Sequence, residues 1–329
     1  MNDYWLPENL NERGRELAAI ITNRMGDDVI GAADHWIEMP ERLTDKPTRP
    51  EAARSCGEGF LCLDLGPEYH DTWSRFEELA RKDEDPESVA RRAQVWRLPV
   101  TPYRENPTPL PPNDLGQCTS TVEPRTLRII DLTSMWAGPL CTELLARAGA
   151  SVVKIEPSSR PDGLRRGDGD EGPGNAPMFV ELNRSKEIAD IDLRHCSEGG
   201  EFHQLVRSAD VVITSLSPRA NNNLGITCDE LRSINPDIAL LSITAFASNS
   251  PESDWVAYGT GVHATSGLGW RSGRPLTPAF SYLDPIAGLE ACAVALGQAM
   301  RDAPQFCRVS LDLSLIHISE PTRRTPISY

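Results

Sequence analysis

The most apolar helix pattern of this 329-residue sequence, DPIAGLEACAVALGQAMR (284–301), opens on an acid. With Pro285 behind it, Asp284 fits the N-cap of that helix, so spacing by itself points to a cap before it points to chemistry. The other chemistry-bearing residues fall into no familiar spacing. The turn SMWAGP (134–139) follows a strand and opens a helix, as a dinucleotide-binding turn does, but it offers only Gly138, and Glu156 ends the next strand where a ribose-binding acid would sit. Neither a GxxxxGK[ST] loop nor a GxSxG elbow is present. The eight cysteines form no CxxC pair, which disfavours a structural zinc site and leaves the metal set empty. His35, His70, His195, His203 and His263 read as surface or satisfied core histidines, since none lies in a metal or triad spacing.

The elements that must position these residues alternate strand and helix after residue 126. LRIIDL (127–132), SVVKI (151–155), EIADIDL (187–193), DVVIT (210–214), IALLSIT (238–244) and RVSLDLS (308–314) read as strands. Helices are expected at Pro139–Ala148 and around 197–208, with a Gly-rich acidic loop over 163–175. The helix at 284–301 is apolar around most of its circumference and should be buried, with Gly288 and Gly297 admitting close neighbours. Such alternation implies an α/β fold: a Rossmann-like, mostly parallel sheet with flanking helices. A smaller mixed α+β region precedes it over 1–101, with a helix at 9–23, helices over 72–95 broken near Asp85-Pro86 and a strand at 60–65, and a Pro-rich linker spans 102–125.

Composition narrows the partners. The 33 basic residues against 48 acidic ones give a net charge of −15, with most of the excess in residues 1–125. A surface of that sign opposes nucleic acid while leaving room for one anionic small molecule in a local pocket. With no apolar stretch of membrane-spanning length, no secretory leader and scattered cysteines, the expectation is a cytoplasmic protein with no membrane partner.

Taken in order, LRIIDLTSMWAGPLCTELLARAGASVVKIEP (127–157), LNRSK (182–186), DVVITSLSP (210–218), LGI (224–226), the Pro-x-Ile strand at 236–244, SYLDPIAGL (281–289) and VSLDLSL (309–315) form a set. In this set the sequence resembles the family III CoA-transferases (CaiB/BaiF), the group of formyl-CoA:oxalate and carnitine CoA-transferases that also includes α-methylacyl-CoA racemase. The likeness covers roughly 126–315. It implies an acyl-CoA transferase that takes an acyl-CoA and a small carboxylic acid, uses coenzyme A as substrate, needs no cofactor and forms an interlocked homodimer. The family nucleophile is an aspartate in the pattern Asp-x-x-x-Gly-Leu, matched by Asp284, Gly288 and Leu289. Its carboxylate attacks the thioester carbonyl and expels CoA thiolate, and the resulting anhydride is turned by that thiolate into an aspartyl-CoA thioester.

The resemblance carries further positions with it. Met135, Trp136 and Ala137 occupy the family's CoA pocket lining, where Trp136 stacks on adenine or fills core. Lys186 falls where the family has a lysine near the CoA phosphates. Ser215 and Leu216 stand in place of a family Asn-Phe pair, Asn223 replaces a family arginine, and Arg219 is the substitute phosphate contact. Tyr258 takes the middle of a Gly-Tyr-Asp pattern whose last residue is Gly259 here; the racemase branch has an acid/base histidine there, and a phenol with a pKa near ~10 exchanges an α-proton poorly. A CoA-ester racemase and a non-catalytic acyl-CoA-binding protein remain the alternatives. Residues 57–104 resemble the end of a family small domain, placed before the Rossmann-like part rather than after it. The segment LIHISEPTRRTPISY (315–329) resembles translated sequencing-adapter DNA; an unpacked, artefactual tail and a chain truncated after 314 are the expectations.

Overall fold

The computed structural model describes residues 6–7, 9–25, 31, 33–39, 53–66, 69–79, 84–105, 127–166, 176–196, 198–271, 273–299 and 306–315. In chain order the strands are β1 (Arg54–Cys56), β2 (Gly59–Leu63), β3 (Val100–Pro102), β4 (Arg128–Leu132), β5 (Ser151–Ile155), β6 (Glu187–Ala189), β7 (Val211–Thr214), β8 (Ala239–Thr244), β9 (Trp270–Arg271), β10 (Arg274–Pro275) and β11 (Phe306–Ser310). Six of them form one sheet in the order β11-β8-β7-β4-β5-β6, with every pair parallel. The expected α/β architecture is therefore present.

Both faces of this sheet are covered, which is why its strands read as apolar runs rather than as clean alternation. Ile129, Val211, Ile213, Leu241 and Ile243 face a core shared with the helices Ala137–Arg147 and Leu283–Ala299. The alternate residues Ile130, Leu132, Val212 and Leu240 face a second core with Phe202, Val206 and Leu231. The strand expected over 187–193 is shorter: only Glu187–Ala189 pairs, because β6 is an edge strand and the chain then turns into a short 3-10 segment, Leu193–His195, capped by the Asp192 carboxylate on the Arg194 amide. The helix expected at 284–301 begins one residue earlier, at Leu283.

The expected 1–101 region contributes to two places. The helix Leu10–Met25 packs Leu10, Leu17 and Ile21 into the large core against Leu283–Ala299. There the Arg13 guanidinium donates to Glu290 Oε1 at 2.7 Å, both side chains being buried, and the Ser314 hydroxyl donates to Glu290 Oε2 at 2.7 Å. Residues 53–105 instead build the antiparallel sheet β1-β2-β3 and two helices, His70–Leu79 and Pro86–Val95, around Leu61, Leu63, Phe76, Val89 and Val100. The helix break expected near Asp85-Pro86 is real: Asp85 Oδ1 accepts from the Ser88 amide at 3.0 Å and Pro86 opens the helix. Most of the expected linker, Cys118 and residues 316–329 lie outside the described residues, whereas Leu315 is buried in the large core. Among the described residues no helix is long and apolar enough to cross a membrane.

Arg13→Ala removes a cation from beside the buried Glu290, and breaking one side of a buried pair costs about 3–5 kcal/mol. Chemical denaturation should show a loss of that order, largely regained in the double variant Arg13→Met/Glu290→Gln. A loss under about 0.5 kcal/mol, as for an ordinary surface change, contradicts this account of how the first helix is held.

Candidate active site

The C-terminal ends of β4, β5 and β7 lie side by side, the place where open parallel sheets present their loops to ligands. After β4 the chain turns through Met135 at φ 69°, a left-handed conformation rare for a side chain with a Cβ. That turn is fixed from β5. The Met135 amide donates to Asp162 Oδ1 at 3.1 Å, Asp162 Oδ2 receives the Lys154 ammonium at 3.1 Å, and the Asp162 amide donates to Glu156 at 2.9 Å. Glu156, read from sequence as the place of a ribose-binding acid, is instead clamped by Arg165 at 2.5 and 2.9 Å. Gly138 follows because a Cβ there would lie 2.2 Å from Thr133.

The next constraint brings Asp284 to this turn. A Cβ at Gly288 would lie 2.6 Å from the Ala137 carbonyl oxygen, so the helix Leu283–Ala299 crosses the start of Ala137–Arg147 with no room for a side chain. Asp284 sits one turn before that crossing. Its carboxylate does not cap its own helix in the way the sequence suggests. Oδ2 accepts from the Ser281 hydroxyl at 2.5 Å and from the Gly259 amide at 3.1 Å, the first N–H of another helix, Gly259–Thr265. Burial drives the Asp284 carboxyl up to about 6 from its ordinary value near 3.8, with Ser281 and Gly259 pulling it back.

Its environment separates Asp284 from most buried carboxylates of the fold. Asp131 lies against Lys186, Glu143 against Arg147, Glu156 against Arg165, Asp162 against Lys154, Glu252 against Arg104, and Glu290 against Arg13. Asp284 has hydrogen-bond donors and no ion pair among the described residues, a character it shares with Asp64, whose carboxyl meets the Thr260 hydroxyl and the Gly261 amide. A carboxylate stripped of water and counter-ion is more reactive toward an electrophile than a paired one, and becoming a neutral acyl derivative relieves the cost of its burial.

The remaining sequence candidates divide. Trp136 is buried, its ring centroid 6.2 Å from that of Phe280, and its indole N–H has no partner among the described residues. Ala137 is buried at the crossing, and Tyr258 is half-buried immediately before Gly259. Ser215 accepts from the Ser134 amide at 3.1 Å, and Leu216 donates its amide to Thr214 Oγ1 at 3.1 Å, so both lie at the strand ends beside the Met135 turn. Arg219 is exposed in the first turn of Pro218–Asn223. Lys186 departs from the phosphate-contact reading. Its ammonium is buried and donates to Asp131 Oδ2 at 3.1 Å, the Pro139 carbonyl at 3.0 Å and Asn183 Oδ1 at 2.9 Å, which occupies all three N–H groups. It ties β4 to the Ala137–Arg147 helix and leaves no donor for a phosphate. Burial lowers its basicity and the Asp131 charge opposes that shift.

The model for CoA-transferase family III matches residues 125–320. The chain belongs to this family. Among curated proteins it is 29% identical over 179 residues to the succinyl-CoA–L-malate CoA-transferase beta subunit of Chloroflexus aurantiacus, covering 53% of this chain and 44% of that one. It is 34% identical over 155 residues to the acetyl-CoA:oxalate CoA-transferase of Acetobacter aceti, covering 46% and 39%. To the formyl-CoA:oxalate CoA-transferase of Escherichia coli it is 32% identical over 168 residues, covering 50% and 40%. The chain thus spans less than half the length of these relatives. A CaiB/BaiF family protein from Brucella suis superposes with a TM-score of 0.51 at 26% identity, over 58% of this chain and 54% of that one. A mutant of Rv3272 from Mycobacterium tuberculosis gives 0.52 at 25%, over 59% and 56%.

Sequence reasoning missed two contributors within the family stretch. From sequence Gly259 reads only as the loss of a family aspartate, yet a Cβ at 259 would lie 2.6 Å from both Asp284 Oδ2 and Ser281 Oγ. Glycine is what lets the amide reach the carboxylate. Ser281 was legible as the serine of an S-x-x-D pattern ahead of an apolar helix, here with the hydroxyl turned onto the acid.

Because the folded Asp284 carboxyl binds its proton more tightly than the unfolded one, its burden on stability is absent below about pH 4 and grows as the pH rises to about 6. Asp284→Asn should therefore gain stability relative to the parent between pH 4 and 7, by about 2 kcal/mol, as measured by urea melts at each pH. A difference that does not change with pH contradicts the raised carboxyl.

Proposed function

We propose that the chain carries the nucleophilic centre of a CoA-transferase that moves CoA from an acyl-CoA to a small carboxylic acid through an acylated Asp284. The observation that carries this reading is the buried Asp284 carboxylate, which meets an amide and a hydroxyl and no cation, beside the Ala137 turn. Both donors fall on Oδ2, so Oδ1 is the attacking oxygen. Oδ1 adds to the thioester carbonyl, the C–S bond breaks, CoA leaves as thiolate and a mixed anhydride forms. The thiolate then adds to the Asp284 carboxyl carbon. In that step the oxyanion develops on Oδ2, where the Gly259 amide and Ser281 hydroxyl already stand. Collapse releases the donor acid and leaves an aspartyl-CoA thioester, and an incoming carboxylate runs the two steps in reverse.

Met135, Trp136, Ala137, Ser215, Leu216, Arg219 and Tyr258 are the proposed lining for the CoA ester, with the unpartnered Trp136 N–H as a donor to it. The names of the relatives suggest short acyl donors and dicarboxylate acceptors, and family membership suggests a homodimer. A racemase reading is disfavoured by His263, the histidine nearest Gly259 and Asp284 in sequence. Its Nε2–H donates to the Leu276 carbonyl at 3.0 Å, so its Nδ1 accepts from the Tyr282 hydroxyl at 2.9 Å, and burial pushes the imidazole down to about 4. Both nitrogens are engaged in these hydrogen bonds, and the ring is neutral at neutral pH, which leaves it neither a free base nor an imidazolium acid for an α-proton.

The test is a trap. Protein is incubated with formyl-, acetyl- or succinyl-CoA, quenched with hydroxylamine and digested. A hydroxamate on Asp284 is the expected mass-spectrometric result, absent in Asp284→Asn and Asp284→Ala. Adduct formation should fall as the pH drops through about 6, since protonation removes the nucleophile. Transfer that survives in Asp284→Asn sinks the proposal.

A further inference from the structure

The small antiparallel sheet sends one acid to the same turn that holds Asp284. Asp64 follows β2 and lies outside the stretch matched by the family model. Its Oδ2 accepts from the Gly261 amide at 2.9 Å and its Oδ1 from the Thr260 hydroxyl. Its own amide donates to the Pro99 carbonyl at 3.0 Å, which fixes it to the residue just before β3. Residues 259, 260 and 261 are the first turn of the Gly259–Thr265 helix, and two carboxylates accept from its N–H groups: Asp284 from Gly259 and Asp64 from Gly261. The approach is close, since a Cβ on Gly261 would lie 3.1 Å from Asp64 Oδ2 and 3.0 Å from Thr101 Oγ1.

The grip extends along the whole segment. The Gln94 side chain donates to the Val256 carbonyl at 2.9 Å and accepts from the Val256 amide at 2.7 Å. The Thr101 hydroxyl donates to the Gly261 carbonyl at 3.0 Å, and the Arg104 amide donates to the Ala264 carbonyl at 3.0 Å. Asp64 is the member of this set that reaches the turn's N–H groups with a charge. Burial drives its carboxyl up to about 6, Thr260 and Gly261 pull it back, and the negative Asp284 raises it further, so the two acids are within electrostatic reach of each other.

We propose that Asp64 is a positioning residue for Asp284: it fixes the first turn of the Gly259–Thr265 helix so that the Gly259 amide stays on Asp284 Oδ2. The proposal rests on the reading of Asp284 as nucleophile. Asp64 exchanges no proton with substrate and forms no covalent bond. It acts through the amide that holds the oxyanion when thiolate adds to the Asp284 carboxyl carbon.

Two variants separate placement from charge. Asp64→Ala removes the acceptor; Asp64→Asn keeps an oxygen for the Gly261 amide and loses the charge. Circular dichroism first establishes the folded fraction of each. Hydrogen exchange of the peptide covering 257–266, and the single-turnover rate of Asp284 adduct formation at saturating acetyl- or succinyl-CoA, are then compared. In Asp64→Ala exchange should speed up and the adduct rate per folded molecule should fall about 10- to 100-fold, the scale expected for a misplaced group. The half-saturating acyl-CoA concentration should stay within about threefold, because the effect lies in the chemical step. Asp64→Asn should restore both exchange and rate to within about threefold of the parent, since the amide oxygen replaces the lost acceptor. Unchanged exchange in Asp64→Ala overturns the proposal, as does Asp64→Asn that recovers exchange but remains as slow as Ala. A parent protein that forms no Asp284 adduct with any donor contradicts the transferase reading instead, and the exchange comparison still decides whether Asp64 holds the turn.

Discussion

The helix Leu283–Ala299 crosses the start of Ala137–Arg147 where Gly288 meets the Ala137 carbonyl, a contact that admits no Cβ. Because protein interiors are close-packed and little compressible, that contact fixes how far apart the two helices can stand. Asp284 lies four residues before Gly288, and the Met135–Ala137 turn lies immediately before the second helix, so fixing the crossing fixes the distance between acid and turn. Gly138 against Thr133 repeats the device one step further back, setting the helix on the end of β4. Glycines and an alanine thus do the positioning, and the side chains that could do chemistry depend on the absence of others.

The electrostatics follow from the same placement. This fold buries many charges, and among the described residues it offsets nearly all of them with ion pairs such as Asp131 with Lys186 and Lys154 with Asp162. Those pairs hold strands to helices and fix the left-handed Met135 turn. Asp284 is left with neutral donors, so its carboxyl lies higher than an ordinary one and still ionises near neutral pH. A buried acid of that kind destabilises the fold when charged and is relieved when acylated, the trade between stability and function expected of a reactive site. The contrast with Lys186 lies in the partners: both are charged residues at motif positions, but Lys186 is held by an ion pair and Asp284 by neutral donors.

Much of this was legible in the sequence. The strands SVVKI, DVVIT and IALLSIT read correctly because each is an apolar run of strand length with both faces covered, and the Asp85-Pro86 helix start is a local signal. The ordered motifs gave the family and the position of Asp284. What the sequence could not show lies in contacts between distant residues. Gly259 looked like a lost acid because nothing local says that an amide must approach Asp284 there. Lys186 looked free because its acceptors come from β4, from Pro139 and from Asn183, which pattern reading cannot assemble. Asp64 was invisible for the same reason: it stands 197 residues from the Gly261 amide it accepts. The 187–193 run misled because an alternating pattern at a sheet edge says nothing about how many residues find a partner.

The central claim is that Asp284 carries the acyl group and the CoA in turn, and oxygen bookkeeping tests it most directly. If the acceptor carboxylate attacks an aspartyl thioester and CoA thiolate then takes the acceptor's acyl carbon, the bridging oxygen of the acceptor must remain on Asp284. Donor acyl-CoA is therefore mixed with oxygen-18-labelled dicarboxylates, and the peptide containing Asp284 is weighed after transfer. The expected result is one heavy oxygen on the Asp284 carboxylate, passed on to the released donor acid in the next turnover. CoA transfer into the labelled acid with only light oxygen on both Asp284 and the released acid would contradict the account.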